Sequence, residues 1–166
     1  MQHLDPLKLI QLPGILRRAF ITRKIGFPVT YELSILVLNA ILCLTFPWVY
    51  NYAYAKQRGV GGKRLMGNRD NLPERSGLAA RGLRAHQNHL ENLLPFAIIA
   101  LTAHAAGISN TVTITCAVVF LLCRLAHATF YIAGISRLPG INGVRSIVYF
   151  ICVISMLVYA AQLFIY

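Results

Sequence analysis

Charge is scarce in this chain. Only 13% of its 166 residues are Asp, Glu, Lys or Arg, 57% are hydrophobic, and the mean hydropathy is +0.59, well above that of a water-soluble domain of this size. That balance argues against a soluble globular enzyme. Acidic residues are scarcer still, five against sixteen Lys and Arg, for a net charge of +11. Such an excess raises nucleic acid as a partner, but no recognisable nucleic-acid fold or aromatic-basic platform accompanies it. A membrane with anionic lipid is the simpler explanation, and no nucleic acid is expected. The four cysteines, Cys43, Cys116, Cys123 and Cys152, have neither CxxC spacing nor loop positions, so they indicate no disulfide framework or zinc knuckle. They read as small buried hydrophobes. No internal repeat is evident, and Gly59-Val60-Gly61-Gly62 lacks the strand-turn-helix setting of a phosphate loop. No Ser-His-Asp or Cys-His nucleophile constellation is visible, so any chemistry would need a bound cosubstrate to bring the reactive atom.

What the chain does have is long apolar runs. Residues 33–50 contain no charge, and Trp48, Tyr50, Tyr52 and Tyr54 stand at one end like an interfacial aromatic belt. A second uncharged run, 92–123, is too long for one span and is broken at 107–110, where Ser109 or Asn110 offers an N-cap. The third uncharged run is 146–166. Four spans follow, at 31–56, 79–106, 110–134 and 144–166, an all-α membrane protein built as a four-transmembrane-helix bundle over 29–166. The first 28 residues mix Leu, Ile and Phe with five basic residues and carry Asp5, Pro6, Pro13 and Gly14. They lack the basic-then-apolar order of a secretory signal and read as an amphipathic interfacial segment. Eight of the sixteen basic residues fall between Lys56 and Arg84 and none in the 107–110 turn. The positive-inside bias therefore puts loops 57–80 and 135–143 in the cytoplasm, although the basic N-terminal segment pulls the other way.

Ionisable groups within such spans are costly, and each is a site candidate. Arg81, Arg84, Asn88 and Glu91 are spaced three, four and three apart, which puts them on one helix face, read here as pointing inward, with Pro95 one turn on. Arg124, His127 and Tyr131 repeat the spacing in the third span, and Arg145, Ser146 and Tyr149 open the fourth. The bland reading is that the arginines snorkel to headgroups and Glu91 neutralises Arg84 or Arg124. Three helices each adding a cation to a same-face stripe favour a ligand instead. Guanidinium forks grip carboxylates and Glu91 can accept from an ammonium, so the stripes suit an anionic molecule that also carries a positive group. His86 and His89, three apart without an HExxH arrangement, are read as interfacial polar residues, and no metal site is expected. His104, near the end of its span, reads as satisfied or facing headgroups.

The segment Arg84-Ala85-His86-Gln87-Asn88-His89-Leu90-Glu91-Asn92-Leu93-Leu94-Pro95-Phe96 resembles a signature of the membrane-associated proteins in eicosanoid and glutathione metabolism, the MAPEG family, which includes the microsomal glutathione transferases. Arg124-Leu125-Ala126-His127 with Tyr131, and Arg145-Ser146-Ile147-Val148-Tyr149, resemble that family's third-helix and fourth-helix motifs in the right order. The likeness runs over about residues 30–166. It implies a homotrimer of four-helix protomers holding glutathione between neighbours near the cytoplasmic face, with an apolar small molecule or lipid as second substrate. Arg84, Asn88 and Glu91 would then hold the tripeptide's polar ends, and His127, Tyr131 and Tyr149 would line the pocket. Arg145 would stabilise the thiolate beside the Ser146 hydroxyl, with Arg81 and Arg124 in support. Gln87 stands where prostaglandin-forming relatives carry Arg, and the 131–145 stretch is longer than the pattern implies. The resemblance also implies a cationic contact from the end of the first helix, either Lys56 or Arg58. The activity implied is conjugation of glutathione to apolar electrophiles or reduction of lipid hydroperoxides. The competing readings are a non-catalytic protein whose basic loop binds anionic membrane lipid, and a small four-helix transporter with Glu91 carrying protons.

Overall fold

The computed structural model describes residues 29–68 and 70–165. The expected interfacial segment at 1–28, and Tyr166 at the end of the last expected span, lie outside the described residues. Thr30 opens α1 (Tyr31–Ala55) by accepting the Leu33 N–H on its hydroxyl. A loop containing a short helix, α2 (Gly62–Met66), which hydrophobic periodicity did not signal, leads to α3 (Gly77–Ala105). α4 (Thr111–Ala133) starts at Asn110. There the Asn110 carboxamide accepts from Val112 N at 2.9 Å and Thr113 N at 3.0 Å, and the Thr113 hydroxyl accepts from Asn110 N at 2.9 Å. Of the two caps the sequence offered, Asn110 is the one used. The observed helices α1, α3 and α4 and the final helix α5 (Val144–Ile165) begin and end within two residues of the four expected spans.

Residues 135–143 hold the two short strands of an otherwise helical structure. Within the loop expected there they form a small hairpin, β1 (Arg137–Leu138) antiparallel to β2 (Ile141–Asn142), with Leu138 opposite Ile141. Pro139 presets the first corner of that turn, and Gly140, at φ +76°, takes the left-handed second corner. The hairpin takes up the extra length between Tyr131 and Arg145 and sets the height at which α5 begins.

α1 packs on α3 and α4 on α5, with α3 and α4 joining the two pairs. The main core lies among α3, α4 and α5, where Phe96 and Phe120 stack at 4.0 Å and Tyr159 meets Phe96 edge-on. A second cluster of Phe46, Tyr50, Ala85 and Ala128 lies nearer the basic loop, and a third of Tyr54, Val60, Leu65 and Ala79 anchors that loop. The aromatic belt divides accordingly. Trp48 and Tyr52 stay exposed, whereas Tyr50 and Tyr54, on the other side of the helix, are buried, and the Tyr54 hydroxyl donates to the Pro73 carbonyl at 2.5 Å. All four cysteines are free thiols in buried positions, as their placement in apolar runs predicted.

Three helices, α1, α4 and α5, are long and apolar enough to cross a membrane. α3 is the longest, but its N-terminal half carries Arg81, Arg84, His86, His89 and Glu91 and falls short of that composition.

Candidate functional site

The polar stripes of α4 and α5 meet. His127, Tyr131, Arg145, Ser146 and Tyr149, with Asn88 of α3 and Phe150, line an open pocket of about 400 Å³. The Arg145 guanidinium lies over the Tyr131 ring at 4.7 Å, within cation–π range, and the His127 ring is 5.6 Å from the same tyrosine. Gly143, at φ +68°, makes this possible: its carbonyl accepts from Ser146 N at 2.8 Å and Ile147 N at 3.2 Å, so α5 starts with Arg145 and Ser146 in its first turn. Tyr149 follows one turn later, partly exposed at the pocket edge.

Arg124 lies behind this pocket and not in its lining. It is almost wholly buried, donates from Nη2 to Asn88 Oδ1 at 2.6 Å, and brings Nη1 to 4.0 Å from Cys152 Sγ. Its Nε has no hydrogen-bond partner among the described residues, nor has the buried Nδ1 of His127. A buried guanidinium bonded to the carboxamide oxygen fixes the orientation of Asn88 and leaves the Nδ2 hydrogens of that side chain free for the pocket.

The α3 stripe is not the inward face. The buried positions of α3 are Ala79, Gly82, Ala85, His89, Asn92, Phe96, Ala100 and Ala103. At 3.6 residues per turn, these centre about 110° away from Arg81, Arg84, Asn88 and Glu91. Small residues make the closer seam, so they and not the charged positions face α1. Arg81 and Asn88, nearest the boundary, are half-buried and engaged, with Arg81 Nε donating to the Ile132 carbonyl at 3.0 Å. Arg84 and Glu91 are exposed on the outside of the protomer, and neither forms a hydrogen bond or ion pair among the described residues. The alternative reading, in which Glu91 neutralises Arg84 or Arg124, is therefore not seen among the described residues. Lys56 lies over the Tyr52 ring at 4.3 Å and Arg58 is exposed; neither lines the pocket.

Other buried polar groups escaped the sequence reading. His89, read as interfacial, is fully buried, with Nε2 3.0 Å from the Asn39 carbonyl, and the Asn39 side chain donates to Ile35 O at 2.9 Å. His86 is half-buried, stacked on Phe46 at 5.5 Å, with Nε2 3.4 Å from Cys43 Sγ. At the opposite end of the bundle the buried Glu32 carboxylate accepts from the Thr113 hydroxyl at 2.5 Å and the Ser109 hydroxyl at 3.0 Å. An acidic residue just inside a helix start usually reads as favourable to the helix dipole, which is why Glu32 gave no separate signal.

Comparison with known proteins gives one match. The family model described as the MAPEG family covers residues 32–165, which takes in all four long helices apart from Tyr31, and every residue of the pocket. No curated protein and no solved structure matches.

Proposed function

The chain belongs to the MAPEG family and is an integral membrane protein, and from that premise we propose that it is a glutathione-dependent membrane enzyme. It conjugates glutathione to apolar electrophiles or uses it to reduce lipid hydroperoxides. The observation that carries this reading is the convergence of Asn88, His127, Tyr131, Arg145, Ser146 and Tyr149 on one pocket, from three helices.

In this reading Arg145 holds the sulfur of glutathione as thiolate, with Ser146 as a neighbouring hydroxyl donor. A free thiol ionises near pH 8.5, and an adjacent guanidinium lowers that value, so more of the nucleophile is present at neutral pH. The thiol proton passes to water. The sulfur lone pair forms the new carbon–sulfur bond while the leaving group departs or a strained ring opens. With a lipid hydroperoxide, two glutathiones become the disulfide and the hydroperoxide becomes an alcohol and water. Asn88, held by Arg124, contributes its free amide hydrogens to a carboxylate of the tripeptide.

Arg84 and Glu91 suit the same ligand from a second copy. They stand open on the outer face of the protomer, where a tripeptide held between neighbours in a homotrimer needs a guanidinium and a carboxylate. α3 serves as the fourth span, its polar half lying against the other helices and the ligand instead of against lipid. The apolar substrate arrives from the bilayer, and loops 57–80 and 135–143 face the cytoplasm.

An ultraviolet difference titration of glutathione into purified protein at neutral pH tests the reading, because thiolate absorbs where thiol does not. A saturable thiolate signal in the wild type that vanishes in Arg145→Ala is the expected result. No signal in either protein, with binding also absent by calorimetry, would overturn it.

A further inference from the structure

Cys43 on α1 and His86 on α3 stand 43 residues apart in the chain, and the fold brings Cys43 Sγ to 3.4 Å from His86 Nε2. No spacing in the sequence marks that pair. Rings hold the imidazole in place: it stacks on Phe46 at 5.5 Å with 16° between the planes, and Tyr50 lies 5.8 Å from it. A nucleophile within hydrogen-bond reach of a base, with the base oriented by its surroundings, is the arrangement that activates a thiol.

The other three cysteines are set differently. Cys116, Cys123 and Cys152 belong to the main core, whereas Cys43 belongs to none of the three clusters. Among the described residues none of those three has an imidazole in reach, and the thiol of Cys152 has Arg124 Nη1 at 4.0 Å instead. Cys43 sits at the rim of the α1–α3 seam. Its neighbour Leu44 and, one turn on from His86, Leu90 are exposed, and Cys43 itself keeps 8% of its surface open. At 3.6 residues per turn His86 lies about 160° round α3 from Asn88, so this rim is on the far side of α3 from the Arg145 pocket. The ends of α1, Tyr31 and Ala55, are each about 18 Å from Cys43 at 1.5 Å per residue. In a bilayer with about 30 Å of hydrocarbon the thiol is near mid-depth, where charged and strongly hydrated reagents do not come.

We propose that Cys43 and His86 form a covalent modification site for uncharged, lipid-soluble α,β-unsaturated carbonyl compounds. Depth selects an apolar reagent, and the soft sulfur selects a conjugated carbon. The addition needs only what the pair holds. His86 Nε2 takes the thiol proton as Cys43 Sγ bonds to the β-carbon, and the electron pair of the carbon–carbon double bond moves toward the carbonyl as an enolate. The α-carbon then takes the proton back from Nε2. Sulfur and hydrogen have added across the double bond, no group leaves, and His86 returns to its starting form. The chain itself is the nucleophile here, so the proposal is independent of the glutathione reading.

Reaction of the full chain in phosphatidylcholine nanodiscs with trans-2-nonenal, followed by intact mass and peptide mapping, tests it. One adduct per chain on Cys43 is expected, with Cys116, Cys123 and Cys152 unmodified. Phenylmercuric acetate, a membrane-permeant reagent that captures sulfur without delivery of a proton to carbon, reads bare access to the thiol. His86→Phe keeps a ring against Phe46 but no nitrogen. It should slow nonenal addition about a hundredfold and leave mercury capture close to wild type. Arg145→Ala should change neither rate, which separates this site from the one proposed for glutathione. Equal slowing of both reagents in His86→Phe would make His86 a packing residue, and undiminished nonenal addition would remove it as the base; either result refutes the assignment. The wild-type map needs no variant and stands if His86→Phe fails to fold. Adducts spread over the four thiols would overturn the proposal, and so would the absence of any on Cys43.

Discussion

Gly82 is the closest point between α1 and α3, and Gly82→Ala tests how tightly that seam is set. A methyl group there would lie 2.9 Å from Tyr50 Cβ and 3.5 Å from Tyr50 Cα. Ordinary carbon contacts are about 3.5–4.0 Å, so the helices must separate locally by about 0.6–1 Å. Neither contacting atom is the movable tip of a side chain, so the strain passes into both backbones. Overpacking of this kind costs about 1–3 kcal/mol. Against it stands the gain from replacing a mid-helix glycine by alanine, about 1 kcal/mol. The net expectation is a loss of about 0–2 kcal/mol, a fall of a few degrees in thermal midpoint for a chain of this size. Thermal unfolding of the detergent-solubilised protein by circular dichroism would read it, with Ala80→Gly calibrating the propensity term at a neighbouring position. A raised midpoint for Gly82→Ala would mean that propensity outweighs contact and that the seam is looser than its geometry implies.

Three further outcomes are expected. Glu91→Gln should weaken glutathione binding by about five- to a hundredfold if its carboxylate accepts from the ligand's amine, and unchanged affinity by calorimetry would remove that role. Arg124→Lys keeps a charge but not the fork that holds Asn88. It should raise the Kd for glutathione several-fold while leaving the thiolate absorbance at saturation intact, whereas loss of that absorbance at saturation would place Arg124 beside the sulfur. Asn110→Ala removes the side-chain half of the α4 capping box, the carboxamide that accepts from Val112 N and Thr113 N, and should destabilise the fold by about 1 kcal/mol, and a thermal midpoint equal to wild type would count against the cap.

The long helices were legible because hydrophobic runs and the 107–110 break are local signals, and bounds within two residues followed from them. The α4 and α5 stripes were legible for the same reason: spacing within one helix fixes a shared face, and the hairpin at 135–143 brought the two faces together. The α3 stripe failed at a different step. Periodicity shows that Arg84, Asn88 and Glu91 share a face but not which way it points, and the small-residue face of Gly82 and Ala85 took the inward direction. Asn39 and His89 were missed because their bond joins residues fifty positions apart. Periodicity within one helix carries no trace of such a pairing.

The bond between Arg124 and Asn88 has a consequence for how this chain is made. α4 carries a guanidinium in its middle and α3 a row of polar groups, so neither is at ease in hydrocarbon by itself. Their connection at 107–110 is short and uncharged, and once the two helices lie side by side the arginine and the carboxamide answer each other at 2.6 Å. With α3 as the proposed fourth span, the two helices would sit in the bilayer more favourably as a pair than singly. A chain cut short before Arg124 would present the polar half of α3 without the guanidinium that holds Asn88.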